Sequence, residues 1–434
     1  MSNLGQNVYM DIQPSNIVST GKVSYRNGNP VVQFIIGEND IHLMGSSVRF
    51  CGNIQFFRDT AKTLQTEADT NLLCIDPKLG IYSIIDTLTL SSQVHKSTIE
   101  SIRFYNRFMA TYLPLISSQE EALSYMNATT LQAPNTDLQR LEVVNNANDD
   151  LYAGSSFCVS LPCGLFNGRN PIPLSRANGV GGILVEINLA PDANVMFSKT
   201  ESLTGLTDAW YELTNLKLIA EGTVVSPGTS VGNTFEYNSI HSYFNSVNST
   251  NTILNFQLGL GSVLSVWANF LPAKFINSFA RNGMLTAPLL NDGDTLAVIK
   301  DVVFTRAGIQ EPLQYTLDTN IKDTTTTSAQ DPQLMKNFVN AVKSWYGLQH
   351  TQISPAQTTR DLGTLIGDIP GSGMIAGVGV SYDSISGLGT SFQNANFGLN
   401  MTTGLATDNP NGVFLFARNK STLVFTPNGV QVMN

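Results

Sequence analysis

Charge is what this sequence has least of. Only 13% of its 434 residues are Asp, Glu, Lys or Arg, against about 25% in an average soluble domain. Asn, Thr, Ser and Gln take their place. Such a surface suits a protein whose faces are covered by copies of itself, because a fully solvated enzyme more often relies on Lys and Glu for solubility. Bases are scarcer than acids, 24 against 33, for a formal net charge of −9, and none of them cluster. A protein that neutralises phosphates needs clustered cations. Residues 1–20 hold one acid, Asp11, and no base, so they cannot be a basic arm. Direct, sequence-specific binding of nucleic acid is not expected.

Cysteine and histidine are also few. Cys51, Cys74, Cys158 and Cys163 form no Cys-x-x-Cys pair and have apolar neighbours. They read as small buried hydrophobes, with a Cys158–Cys163 disulfide as the less favoured alternative. His42, His95, His241 and His350 lack zinc-ligand spacing. No metal and no cofactor is expected. No basic segment leads into an apolar run as in a secretory leader, and no apolar run is long enough for a membrane-spanning helix. The acceptor patterns at Asn127, Asn248, Asn400 and Asn419 are read as chance matches in an Asn- and Thr-rich chain.

What the sequence does have is strands. Its length suggests two domains. Residues 31–36 form an apolar run ended by Gly37. Residues 47–57 and 81–90 follow as further strands. Residues 182–190 alternate most cleanly, with Ile183, Val185, Ile187 and Leu189 on one face, Glu186 and Asn188 on the other, and Pro191-Asp192 as the stop. The second half repeats the habit at 213–220, 253–258, 295–304, 397–401, 412–417 and 421–425. Asn27-Gly28, Asp292-Gly293, Asn411-Gly412 and Asn428-Gly429 supply hairpin-turn chemistry.

Two segments read as helices. Ser97-Thr98-Ile99-Glu100 has the form of a capping box. Behind it Tyr105, Met109, Tyr112 and Ile116 recur at helical spacing, until Pro114 ends or kinks the helix. Asp331 and Pro332 open the second helix. Met335, Phe338, Val339, Val342 and Trp345 line one face, and Gly347 stops it. Roughly 90 residues of β-rich chain follow each helix, within the usual size of a domain. That is the trace a duplicated β domain leaves. The predicted division is an N-terminal arm at 1–20, a first β domain at 21–205 and a second at 206–434. Removal of residues 1–15 is then expected to spare the fold while impairing assembly. The segments 62–71, 117–151 and 322–330 read as long loops.

Chemical motifs fail on context. Gly371-Ser-Gly373-Met-Ile-Ala-Gly377 has the wrong spacing for a dinucleotide turn, and Gly179, Gly181 and Gly182 precede a strand instead of following one. Gly228-Thr-Ser230-Val-Gly232 matches a nucleophile elbow, but no helical pattern follows it. His241 stands too near in sequence to serve that serine. His95 beside Ser97 reads as exposed. The acid pairs Glu120-Glu121 and Asp149-Asp150 have no aromatic sugar platform beside them. Phe104, Tyr105, Phe108 and Tyr112 read as core packing, as do Trp267 and Trp345 in cores or interfaces. No catalytic, cofactor-binding or metal-binding residue is nominated, and the chain is not expected to be an enzyme.

Several segments resemble the double jelly-roll major capsid proteins of adenovirus-like viruses, virophages, polinton-like viruses and membrane-containing phages. These are residues 80–90 with Ile99-Glu-Ser-Ile-Arg-Phe-Tyr-Asn106, residues 158–166 with 172–174 and 183–190, and residues 211–221, the last similar to the strand that opens the second roll. The resemblance implies an all-β fold of two tandem eight-stranded jelly rolls with a short helix in each half. It implies homotrimeric, pseudo-hexagonal capsomers that self-assemble into an icosahedral virus shell, with minor capsid and vertex proteins as partners and an internal membrane beneath in some members. The alternative reading is a carbohydrate-binding or carbohydrate-active protein built from two jelly rolls.

Overall fold

The computed structural model describes the chain apart from residues 1–4, 18–20, 27, 29, 65–70, 72, 77–78, 117–154, 169, 177, 199–202, 205, 207, 227–231, 285–298, 312–316, 319–331, 344–376, 384–386, 404–410 and 427–428. Eight strands build a first sandwich: β1 (Asn7–Ile12), β2 (Val31–Ile36), β3 (Ile41–Phe57), β4 (Ile85–Ser92), β5 (Thr98–Arg103), β6 (Ser155–Ser160), β7 (Ile183–Leu189) and β8 (Trp210–Val224). Eight more build a second: β9 (Thr234–Val247), β10 (Asn251–Phe256), β11 (Val263–Pro272), β12 (Ile299–Arg306), β13 (Ile309–Gln310), β14 (Val378–Ser381), β15 (Phe397–Thr403) and β16 (Asn411–Thr426).

The sheet orders reveal the duplication that side-chain identity hides. Apart from short strands at Ile172–Pro173, Leu317–Asp318 and Gly429–Met433, which add to β3, β12 and β16, the first sandwich pairs β1-β8-β3-β6 against β2-β7-β4-β5 along its main paths, and the second pairs β9-β16-β11-β14 against β10-β15-β12-β13. Raising each strand number by eight converts one into the other. Both sandwiches are antiparallel throughout and have jelly-roll connectivity. Each inserts a helix between its fifth and sixth strands, α1 (Tyr105–Ile116) and α2 (Pro332–Lys343).

The alternation in β7 holds: Ile183, Val185, Ile187 and Leu189 are buried, with partly exposed residues between them. Strand β11 behaves differently, and all ten of its residues are buried. One face, with Val266, Ala268 and Phe270, fills the second sandwich, while Trp267 and Leu271 face the first. A strand covered on both faces loses its two-residue period, which is why this one escaped the pattern reading.

Several expectations are corrected. Within the segment expected to be an arm, β1 pairs with β8 from Asn7↔Thr223 to Ile12↔Leu218, and Ser15 N donates to Gln33 O at 2.7 Å. Residues 211–221 do not open the second roll. They lie in β8, hydrogen-bonded between β1 and β3, and so complete the first. Residues 80–84 form a 3-10 turn, not a strand, because the Asp76 carboxylate accepts from Leu79 N and the Ser83 hydroxyl donates to Gly80 O. Residues 412–417 and 421–425 belong to one continuous strand, β16. Helix α1 continues through Pro114 to Ile116, so the proline does not end it. The Ser97–Glu100 capping box does not form, because Thr98–Arg103 is a strand and Glu100 is drawn into the interior.

Candidate functional site

The two sandwiches meet along a seam, where the most chemically committed side chains lie. From the first come β5 and α1. From the second come the outer face of the β9-β16-β11-β14 sheet and α2. Phe108 of α1 stacks on Tyr112, 4.9 Å between centroids, and reaches Trp267 and Phe416 at 6.2 and 5.9 Å. Phe104 meets Phe414 at 5.1 Å and Phe244 at 5.9 Å. The helical spacing of these aromatics thus reflects packing, with the partner supplied by the other sandwich.

Strand β9 is a sheet edge, and its outward amides need acceptors. Glu100 supplies one. Its Oε1 accepts from Ile240 N at 2.8 Å and Gly164 N at 3.0 Å, and its Oε2 accepts from Leu165 N at 3.0 Å. One carboxylate therefore joins both sandwiches. Loss of water raises the Glu100 pKa, with the three amides pulling the other way. The Tyr237 hydroxyl donates to Ile99 O at 2.8 Å, and Arg103 N donates to the Ser242 hydroxyl at 3.0 Å. The edges of β5 and β9 are thus stitched by side chains instead of a continued ladder. A Cβ at Gly164 would collide with the Asn238 carbonyl, so the loop after β6 needs glycine there.

Two arginines are buried in the same seam. Arg107 lies over the Phe414 ring at 4.9 Å, and burial lowers its pKa to about 9 while Asp76 and Asp86 oppose the shift. Arg418 lies over Trp267 at 5.6 Å and donates to Val342 O, near the C-terminal end of α2, at 2.7 Å. Beside Arg107, a cavity of about 250 Å³ opens between Asp86, Phe104, Phe244, Ile276 and Phe414. The grip of Glu100 and the burial of Arg107 and Arg418 were not legible in the sequence, since a lone Glu or Arg carries no spacing signal for them.

The motif residues are placed as follows. Ser239 and His241 come together on β9, with Nε2 2.8 Å from Oγ, but Ser239 is 2% exposed and passes its contact on to Ser421 at 2.6 Å. Burial lowers His241 to about 4, so it is neutral near pH 7 and its pair is inaccessible to a substrate. His95 is half-buried in the turn after β4, within 3.2 Å of where a Cβ at Gly181 would lie, and is not exposed as expected. Gly181 and Gly182 have positive φ, 68° and 71°, just before β7. Gly377 precedes β14, and Gly232 leads toward β9. The rest of both glycine motifs, the acid pairs 120–121 and 149–150, Asp331, Trp345 and His350 lie outside the described residues. Among the described residues no group of three or more His, Cys, Asp or Glu could hold a metal ion. No described helix is long and apolar enough to cross a membrane.

No protein-family model matches the sequence, and no curated protein matches it. Solved structures do. A chain of the Sputnik virophage is similar with a TM-score of 0.58 at 11% identity, over 100% of this chain and 89% of that one. A chain of the PBCV-1 virus capsid is similar with a TM-score of 0.56 at 11% identity, over 99% and 97%. The Faustovirus major capsid protein is similar with a TM-score of 0.52 at 10% identity, over 97% and 90%. Likeness at such identity speaks for the fold, and with the duplicated strand order it makes this chain an all-β double jelly roll, of the same fold as those viral chains.

Proposed function

We propose that this chain is a viral major capsid protein. Three copies form a pseudo-hexagonal capsomer, and capsomers tile an icosahedral shell. The observation that carries the reading is the pair of identically connected jelly rolls fused side by side through a seam. Three such chains present six rolls around a threefold axis, a shape that closes under cyclic symmetry and packs in a hexagonal lattice. The likeness to the Faustovirus major capsid protein and the PBCV-1 capsid chain supports it over nearly the whole length. The low charge suits faces covered by neighbours. With the first roll ending at β8 and the second beginning at β9, we place the division within residues 225–233. The partners are further copies of the chain, then minor capsid and vertex proteins, with no sequence-specific contact to the genome.

The test is native mass by light scattering on the purified protein. The expected species is three times 47.0 kDa, with particles or sheets in negative stain at higher concentration. A monomer at every concentration would overturn the reading and favour the carbohydrate alternative.

A further inference from the structure

Cys51 and Cys158 are distant in sequence and adjacent in the fold. They are register partners on β3 and β6. Residues opposite each other on antiparallel strands have Cα atoms about 4.5–5.5 Å apart, inside the roughly 4.4–6.8 Å range that disulfides span. Their sulfurs are 2.8 Å apart, less than an ångström beyond the bonded length of about 2.05 Å. Neither points into the core. Phe50, Phe157 and Val159 fill it from the same strands, which turns Cys51 and Cys158 to the outer face. Cys158 is partly exposed and Cys51 is buried beside it. The other two cysteines, Cys74 and Cys163, are each 1% exposed.

We propose that Cys51 and Cys158 are a redox-active dithiol that closes into an intrachain disulfide on exchange with a low-molecular-weight disulfide. The surroundings favour the exchange. The Cys51 thiol donates to the Cys158 sulfur, and Arg49 and Lys217 add positive charge. Together they hold Cys158 at about 7 while Cys51 is raised. Of the charged groups on this face, Arg49 and Lys217 act on the pair, and Lys217 is itself paired to Asp11 at 2.8 Å. Cys158, as thiolate, attacks the small disulfide and expels one thiolate, leaving a mixed disulfide. Cys51 loses its proton, attacks the Cys158 sulfur and expels the second. One small disulfide is reduced to two thiols and one protein dithiol is oxidised by two electrons. The bond ties β3 to β6 across 107 positions of sequence, a stretch that contains β4, β5 and α1, and so fastens the first roll around its seam helix. This inference stands on sheet geometry and does not depend on the capsid reading.

The experiment treats the full-length protein with oxidised glutathione, alkylates it in denaturant, and measures intact mass and a peptide map. The reduced protein takes four alkyl groups, one for each cysteine. The oxidised protein is expected to take two, to yield a peptide joining Cys51 to Cys158 that dithiothreitol splits, and to melt several degrees higher. Cys51→Ser is expected to trap one glutathione on Cys158. Four alkyl groups after oxidation, a lasting glutathione adduct on the unmutated protein, or a bond to Cys74, Cys163 or another chain would each overturn the proposal. Should Cys51→Ser fail to fold, the peptide map of the unmutated protein decides alone.

Discussion

Glu100 concentrates the logic of the seam in one side chain. Glu100→Gln keeps the size but turns a donor toward amides that need an acceptor. It is expected to cost about 1–3 kcal/mol, as an unsatisfied buried donor does, and Glu100→Ala should cost more. Urea denaturation would measure both, and an unchanged midpoint for Glu100→Ala would remove the latch from the argument. Two other residues set an acid response of opposite signs. His241 is depressed to about 4, so as pH falls from 6.5 toward 4 the unfolded chain takes a proton that the fold refuses, and stability is lost. Asp192, beside Tyr211 N, is raised to about 6 by burial. As pH falls through 6 the fold takes a proton ahead of the unfolded chain, and stability is gained. Each shift is of order 3 kcal/mol, so the two offset one another between pH 6 and 4. Melting curves across that window should show His241→Gln gaining relative stability on acidification and Asp192→Asn losing it. Parallel curves for all three proteins would refute the assignment.

At the scale of elements, β7 and β1 make contrasting cases. Val185 is 0% exposed at the middle of β7, between β2 and β4. Val185→Asp buries a charge without a partner and is expected to abolish folding. Soluble protein with native circular dichroism would contradict that placement. Strand β1 carries little core, with Val8, Met10 and Ile12 half-buried and Tyr9 exposed. Its contribution is the ladder to β8. Deleting residues 1–15 is therefore expected to destabilise the first roll, measurable as a lower melting temperature, where the sequence alone suggested an arm needed for assembly and not for the fold. A melting temperature equal to that of the full chain would restore the arm. Strand β5 was mistaken for a helix start because Ser-x-x-Glu fits a cap locally. Its pairing with β4, Leu88↔Ile102 and Leu90↔Glu100, won because it buries Ile99 and Ile102 and brings Glu100 to three amides.

For the whole molecule the main feature is that neither roll buries its seam face alone. Phe414, Phe416 and Trp267 sit on the outside of the second roll's sheet, and among the described residues Phe104 and Phe108 of the first roll pack against them. Separately expressed rolls should therefore expose an aromatic patch and aggregate, whereas the fused chain unfolds as one unit. A calorimetric scan checks this: one transition is expected, and two well-separated transitions would show that the seam does not couple the rolls.

Sequence by itself determined the class of fold, the two-part organisation and the strands with one wet face, because alternation records directly which side meets water. It also determined the helix that follows β5, through the spacing of Tyr105, Phe108, Met109 and Tyr112. Only tertiary structure decided the rest. The doubly covered strand β11, the membership of β8 in the first roll, the grip of Glu100 on both rolls and the meeting of Cys51 with Cys158 all depend on which edges and faces come together. Those are contacts between residues up to some 200 positions apart in the chain, and no local pattern of apolar and polar residues encodes them.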